Sequence, residues 1–180
     1  DAKRLARKYM HHPAFLAVAE KATASTVEQR IYETTLPRKF KLLVRHLTEM
    51  NPYMAVVFTT TREEAHELAG TLQEETAFIV AEIHGDLSQS QRNQVIREFE
   101  KARIQVLVAS DIAARGLDVE GITHVFNYGI PRNLEYYIHR IGRTGRAGTK
   151  GIAITYATPE DGFLLRKLEK SIEETITRYD

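Results

Sequence analysis

Residues 54–85 read MAVVFTTTREEAHELAGTLQEETAFIVAEIHG, and this stretch decides the fold. Met54–Thr59 is a short apolar run that ends in hydroxyls. Arg62–Glu74 is amphipathic, and Thr61 with Glu64 has the spacing of a capping box at its start. Phe78–His84 is a second β-branched run. Strand, helix and strand at this spacing predict a right-handed βαβ unit and therefore a parallel pair. The AVVF core is apolar at every position, which predicts a strand covered on both faces.

The same alternation continues outward. Further strands are expected at Val27–Thr34, Ile104–Ala109, Ile122–Tyr128 and Gly151–Ala157, and further helices at Arg38–Glu49, Gln89–Lys101, Leu134–Ile141 and Glu160–Ile176. Pro37 suits a first helical turn, Ser88 with Gln91 is another capping box, and Thr158-Pro159-Glu160-Asp161 offers a cap followed by acids. The expectation is one α/β domain over 28–180, with 1–27 as the tail of a preceding domain and a linker. In such sheets ligands bind beyond the carboxyl ends of the strands. That directs attention to His84–Asp86, Ser110–Asp118 and Tyr128–Pro131.

The chain has 180 residues, 43% hydrophobic and 27% charged. Such a composition suits one soluble globular domain. Twenty-five Lys and Arg against 24 Asp and Glu leave a net charge of +1. A polycation that coats nucleic acid is excluded, so any such contact is local. There are no cysteines, which removes disulfide scaffolds, thiol nucleophiles and Cys-based metal sites. No apolar run approaches the roughly 18 residues of a membrane span, and no signal peptide is visible. A cytoplasmic protein is expected. The first residue is Asp1 rather than Met, so a piece of a longer protein is expected.

Four motifs carry candidate chemistry. The segment 137–148, YIHRIGRTGRAG, places Arg140, Arg143 and Arg146 three apart and Gly142, Gly145 and Gly148 likewise. One reading is a helix ending in a solvated loop. The other is backbone and guanidinium forks approaching polyphosphate. No Asp or Glu occurs between Tyr136 and Pro159, so nothing nearby is expected to neutralise these arginines. Ser110-Asp111-Ile-Ala-Ala-Arg115-Gly116-Leu117-Asp118 leaves a strand at the ligand edge; Asp111 reads equally as an N-cap, and Asp118 as an Asx-turn or a sugar-hydroxyl acceptor. His84-Gly85-Asp86-Leu87-Ser88-Gln89-Ser90-Gln91-Arg92 is a strand–turn–helix whose exposed helix N-terminus suits an anion. Its cap explains Ser88 and Gln91 but not Gly85 or Arg92. Phe58–Arg62 reads first as a cap and second as a phosphate contact. There is no G-x-x-x-x-G-K-[ST] loop and no G-x-G-x-x-G. The seven His have no metal-binding spacing, so no metal site is expected.

Four segments in this order and spacing resemble the second RecA-like domain of DEAD-box RNA helicases: AVVFTTTR at 55–62, HGDLSQSQR at 84–92, LVASDIAARGLD at 107–118 and YIHRIGRTGRAG at 137–148. The resemblance covers roughly 28–176. It implies a RecA-like three-layer domain with a mostly parallel central sheet covered by helices on both faces. It also implies roles. Arg143 and Arg146 would be arginine fingers on the γ-phosphate of ATP, with His139 beside them in the catalytic set, and Gly116 and Asp118 would meet the nucleotide. Thr61, Arg62, Gly85, Asp86, Gln89, Arg92 and Ser110 would contact RNA, and Arg140, Asp111 and Arg115 would couple the domains. Two positions depart from the pattern: Glu63 where many members are basic, and Gly129 where Asp is common.

The family's phosphate loop, acidic box and Mg²⁺ ligands belong to a first domain that this sequence does not contain. The implied partners are therefore RNA and the N-terminal RecA-like domain of the same protein, with ATP and Mg²⁺ as cofactors and no membrane. The implied function is half of an ATP-dependent RNA helicase core, inactive as an ATPase alone. The alternatives are an ATP-independent RNA- or protein-binding module and the matching domain of a DNA translocase.

Overall fold

A computed structural model describes residues 26–115, 117–146 and 149–180. Seven strands form one sheet: β1 (Val27–Glu33), β2 (Ala55–Thr59), β3 (Val80–Ile83), β4 (Val106–Ser110), β5 (His124–Asn127), β6 (Gly151–Ala157) and β7 (Thr177–Tyr179). Their order is β3-β4-β2-β5-β6-β1-β7, and every described pairing is parallel. Five helices connect them: α1 (Leu36–Met50), α2 (Arg62–Glu75), α3 (Gln89–Glu100), α4 (Leu134–Ile141) and α5 (Gly162–Ile172).

Alternation along the strands makes two cores. Val56, Phe58, Leu107, Ala109 and Val125 face one side, packed with Phe99 of α3, Tyr137 and Ile141 of α4 and Leu165 and Leu168 of α5. Ala55, Val57, Val106, Val108 and Phe126 face the other, with Leu43 and Leu47 of α1 and Ala65, Leu68 and Leu72 of α2. Both faces of the central strands are thus covered, which is why β2 and β4 are apolar at every inner position.

Local chemistry sets the helix starts. Ser88 and Gln91 form the reciprocal capping box expected of them. At Thr61 only half of the box forms: its hydroxyl accepts from Glu64 N–H at 3.1 Å, while the Glu64 carboxylate accepts from Thr60 Oγ1. Thr158 N–H and Oγ1 both donate to Asp161, and this opens a 3-10 turn (Pro159–Asp161) before α5.

The last helix is shorter than expected, ending at Ile172 rather than Ile176. Glu173 adopts the left-handed conformation at φ 53° and its N–H closes on Glu169 O. Ile176 N–H and the Arg178 guanidinium then take the Glu169 carboxylate, and the chain turns into β7 beside β1. That strand has no apolar pattern, being exposed at all its residues. The expected domain boundary falls at the first residue of β1.

Gly145 has a fold-level reason. It sits at φ +69°, and a Cβ there would lie 2.7 Å from Thr26 O and 2.8 Å from Val27 Cγ2. Gly145→Ala is expected to cost at least about 1–2 kcal/mol from the left-handed backbone alone, and more from the backbone contact. Denaturant unfolding measures it. A loss below about 0.5 kcal/mol, the range of an ordinary surface change, would contradict this.

Candidate nucleotide- and RNA-facing site

The carboxyl ends of β4, β2 and β5 lie side by side, and α4 packs on one face of the sheet through Tyr137 and Ile141. Arg140, in the last turn of α4, is 2% exposed. Its Nε and Nη2 donate to the two Asp111 oxygens at 2.6 and 2.7 Å. Nη1 donates to Gly129 O at 2.6 Å and reaches Asn127 Oδ1, and Nη2 reaches Thr59 O. The guanidinium lies over the Phe58 ring, 5.4 Å from its centroid. One side chain therefore ties three neighbouring strand ends together through a bidentate, charge-assisted pair. Any coupling role for Arg140 must pass through Asp111 or through this scaffold, because the guanidinium itself is enclosed.

α4 stops at Ile141, and Gly142 caps it. Arg143 and Arg146 follow, each folding its Nε back on the carbonyl four residues earlier, His139 O and Gly142 O. Their outer nitrogens reach Leu117 O and the Asp118 carboxylate respectively. Three of the residues expected at ATP thus converge, although 28 residues separate Asp118 from Arg146. Burial, with repulsion from Arg146, holds the Arg143 guanidinium below its ordinary value, partly offset by Asp118; an arginine stays charged throughout.

The expectation that nothing neutralises these arginines is corrected. Sequence-local acids are absent, but the loop after β4 delivers Asp111 to Arg140 and Asp118 to Arg146. Arg143 bonds carbonyls instead. Arg146 and Asp118 stay accessible, with side chains 39% and 81% exposed. His139 lines a small cavity of about 40 Å³ with Asp111, Arg115, Tyr136 and Arg143. That volume is far below the roughly 300–1,000 Å³ of a closed ligand pocket. Gly116 and Gly148 lie outside the described residues, as does the tail up to residue 25.

The other edge holds the residues expected at RNA. Arg62 Nη1 bonds Asp86 at 2.8 Å, joining α2 to the turn after β3. Gly85 has nothing within 4 Å of where a Cβ would sit, so its own domain does not require a glycine there. Thr61 is engaged as the α2 cap. Gln89 bonds Asn93. Ser110 ends β4 and is 7% exposed. Arg92 Nη2 donates to Arg115 O, which links this edge to the loop that reaches Asp118.

Two contributors escaped the sequence reading. Tyr136 accepts from Arg115 Nη2 at 2.9 Å and has no local signature. Asn127 accepts from Arg140 and donates to Thr155 at 3.0 Å; a lone amide in the apolar run Ile122–Tyr128 was the available signal.

The chain is similar to known proteins in sequence and in fold. A family model described as the helicase conserved C-terminal domain matches residues 38–148. The DEAD-box ATP-dependent RNA helicase CshA of Bacillus cereus is 41% identical over 179 residues, 99% of this chain and 34% of that protein. The chain thus spans about a third of the length of the curated relatives it matches. The E. coli DEAD-box protein SrmB, solved bound to regulator of ribonuclease activity A, is 40% identical with a TM-score of 0.81, covering 86% of this chain and 91% of that one. S. cerevisiae Dbp5, solved bound to RNA and ADP BeF3, is 30% identical with a TM-score of 0.82, covering 89% and 43%. Among the described residues no helix is long and apolar enough to cross a membrane.

Proposed function

Because the chain belongs to the helicase conserved C-terminal domain family, in its DEAD-box branch, we propose that it works as the second half of an ATP-dependent RNA helicase core. The observation that carries this is the convergence of Arg143, Arg146 and Asp118 on one open edge. Two guanidinium forks and a carboxylate suit a triphosphate and a ribose. The 40 Å³ cavity beside them cannot enclose a nucleotide, so the rest of the site comes from another domain.

ATP fits the residues present in a divided manner. Arg143 and Arg146 would face the γ-phosphate, where they stabilise charge that develops as the phosphoryl group transfers. Asp118 would hold ribose hydroxyls once it releases Arg146. Mg²⁺ has no obvious seat here: Asp111 is committed to Arg140 and Asp118 to Arg146. Its ligands are expected on the preceding domain. Thr61, Arg62, Gly85, Asp86, Gln89, Arg92 and Ser110 would meet RNA backbone, and the Arg92–Arg115 bond gives the two edges one mechanical connection. RNA bound to the yeast relative supports that partner.

The test is phosphate release by this chain alone, with saturating single-stranded RNA, against a complete two-domain core. The isolated chain is expected to show no RNA-stimulated turnover, since Asp111 and Asp118, the carboxylates described at this edge, are paired with Arg140 and Arg146 and the water and Mg²⁺ would depend on ligands from the preceding domain. A rate within about tenfold of the complete core, a barrier difference of about 1.4 kcal/mol, would overturn the reading.

A further inference from the structure

One cluster lies outside the nucleotide edge and has no part in the function above. His66 projects from α2, and Glu82 and His84 project from the β3 edge of the sheet. His66 Nδ1 lies 3.0 Å from both Glu82 carboxylate oxygens, and His84 Nε2 lies 3.6 Å from Oε2. One ligand atom from each residue falls within 4.8 Å of the other two. The imidazole rings stand edge to face at 81°, with centroids 6.1 Å apart. Sequence spacing conceals the group, because Glu82 and His84 share a face as alternate residues of an extended segment while His66 arrives from a helix.

We propose that His66, Glu82 and His84 form a site for a divalent cation of the Zn²⁺ class, with three protein ligands and an open fourth position. Two imidazole nitrogens and one carboxylate oxygen are a donor set suited to Zn²⁺. Bond lengths of about 2.0–2.2 Å place tetrahedral ligand atoms roughly 3.4 Å apart; both imidazole–Glu82 separations are already near this, and the two imidazoles, within 4.8 Å, must close by at most about 1.4 Å. His66 supplies that movement, since its side chain is 72% exposed. Glu82 and His84 are the firmer members, at 25% and 10%.

Binding has a local consequence. Asp86 N–H donates to His84 Nδ1 at 3.2 Å, so in the metal-free state Nε2 carries the proton and points at Glu82. Metal on Nε2 moves that proton to Nδ1, which then cannot accept from Asp86. The ion would therefore release the Asp86 amide in the turn that also carries Gly85.

Calorimetric titration of the full chain with Zn²⁺ tests this directly and needs neither nucleotide nor RNA. One equivalent is expected to bind. Glu82→Gln and His66→Ala are each expected to weaken binding by at least about tenfold, the lower bound for disturbing even an outer-shell partner. His11→Ala with His12→Ala, the adjacent pair elsewhere in the chain, should leave it unchanged. Two further readouts accompany this: a four-coordinate visible spectrum with Co²⁺, and a shift of the Asp86 amide resonance on adding Zn²⁺. Glu82→Gln preserves side-chain shape, and a matching thermal melt confirms its fold. Absence of a 1:1 event, binding that survives both variants, or binding abolished by the His11/His12 change would overturn the site and leave a hydrogen-bonded cluster only.

Discussion

In a complete two-domain core, Arg146→Ala is expected to lower ATP turnover by about 10³-fold or more, with a much smaller change in ATP binding. An arginine finger contributes about 10³–10⁵ in kcat, or roughly 4–7 kcal/mol of barrier, by acting on charge that appears in the transition state. The structure adds a reason to expect that Arg146 is free to act. Its partner Asp118 is 81% exposed, and an exposed ion pair contributes only about 0–1 kcal/mol. The pair can therefore hold Arg146 beside the site without locking it there. Arg146→Lys should not restore turnover, because a point ammonium lacks the fork and cannot span both Gly142 O and a phosphate. Asp118→Ala should show the reverse split, with weaker nucleotide binding and a smaller effect on the chemical step. Single-turnover kinetics with a nucleotide titration separate the two. If Arg146→Ala weakened binding and left kcat within about tenfold, the segment 142–146 would be a solvated loop that binds phosphate without acting on it.

The parts of this molecule that could be read from sequence are those set by local rules. Buried strands need apolar residues on both faces, so AVVF announced β2, and the expected strand Ile104–Ala109 anticipated β4. Caps bond within three residues, so Ser88–Gln91 was visible. Three features were not local. β7 is held by β1 and by the Glu169–Arg178 pair, and its residues TRY carry no alternation. The glycine phasing in 142–148 suggested phosphate, yet Gly145 is required by Thr26 across the fold. The three arginines looked alike at their spacing of three, but the end of α4 divides them. Arg140 is still helical and turns inward, while Arg143 and Arg146 lie beyond the helix and reach Leu117 O and Asp118 respectively. Which carboxylate meets which arginine depended on the loop after β4, 28 or 29 residues away.

That division leads to the last expected result, which concerns stability rather than turnover. Arg140→Ala removes the side-chain bonds through which one guanidinium reaches Asp111, Gly129, Asn127 and Thr59 and leaves Asp111, 13% exposed, without its cation. Breaking a buried pair from one side costs about 3–5 kcal/mol. That is a large share of a typical 5–15 kcal/mol of folding stability. At about 2–4 °C per kcal/mol for a chain of this size, the melting temperature should fall by roughly 6–20 °C. Arg140→Lys should recover only part, since one ammonium cannot serve the carboxylate and the Gly129 carbonyl in the geometry of the fork. Asp111→Ala should also destabilise, because it leaves the guanidinium enclosed with carbonyl acceptors alone. The double variant is the sharper measurement. With neither charge left unpaired, it should be less destabilised than the sum of the two single variants, by at least about 1 kcal/mol, within the range for residues in direct contact. Additivity within about 0.5 kcal/mol, the behaviour of distant sites, would mean that Arg140 and Asp111 do not act as one unit, and the account of how the three strand ends are joined would fail.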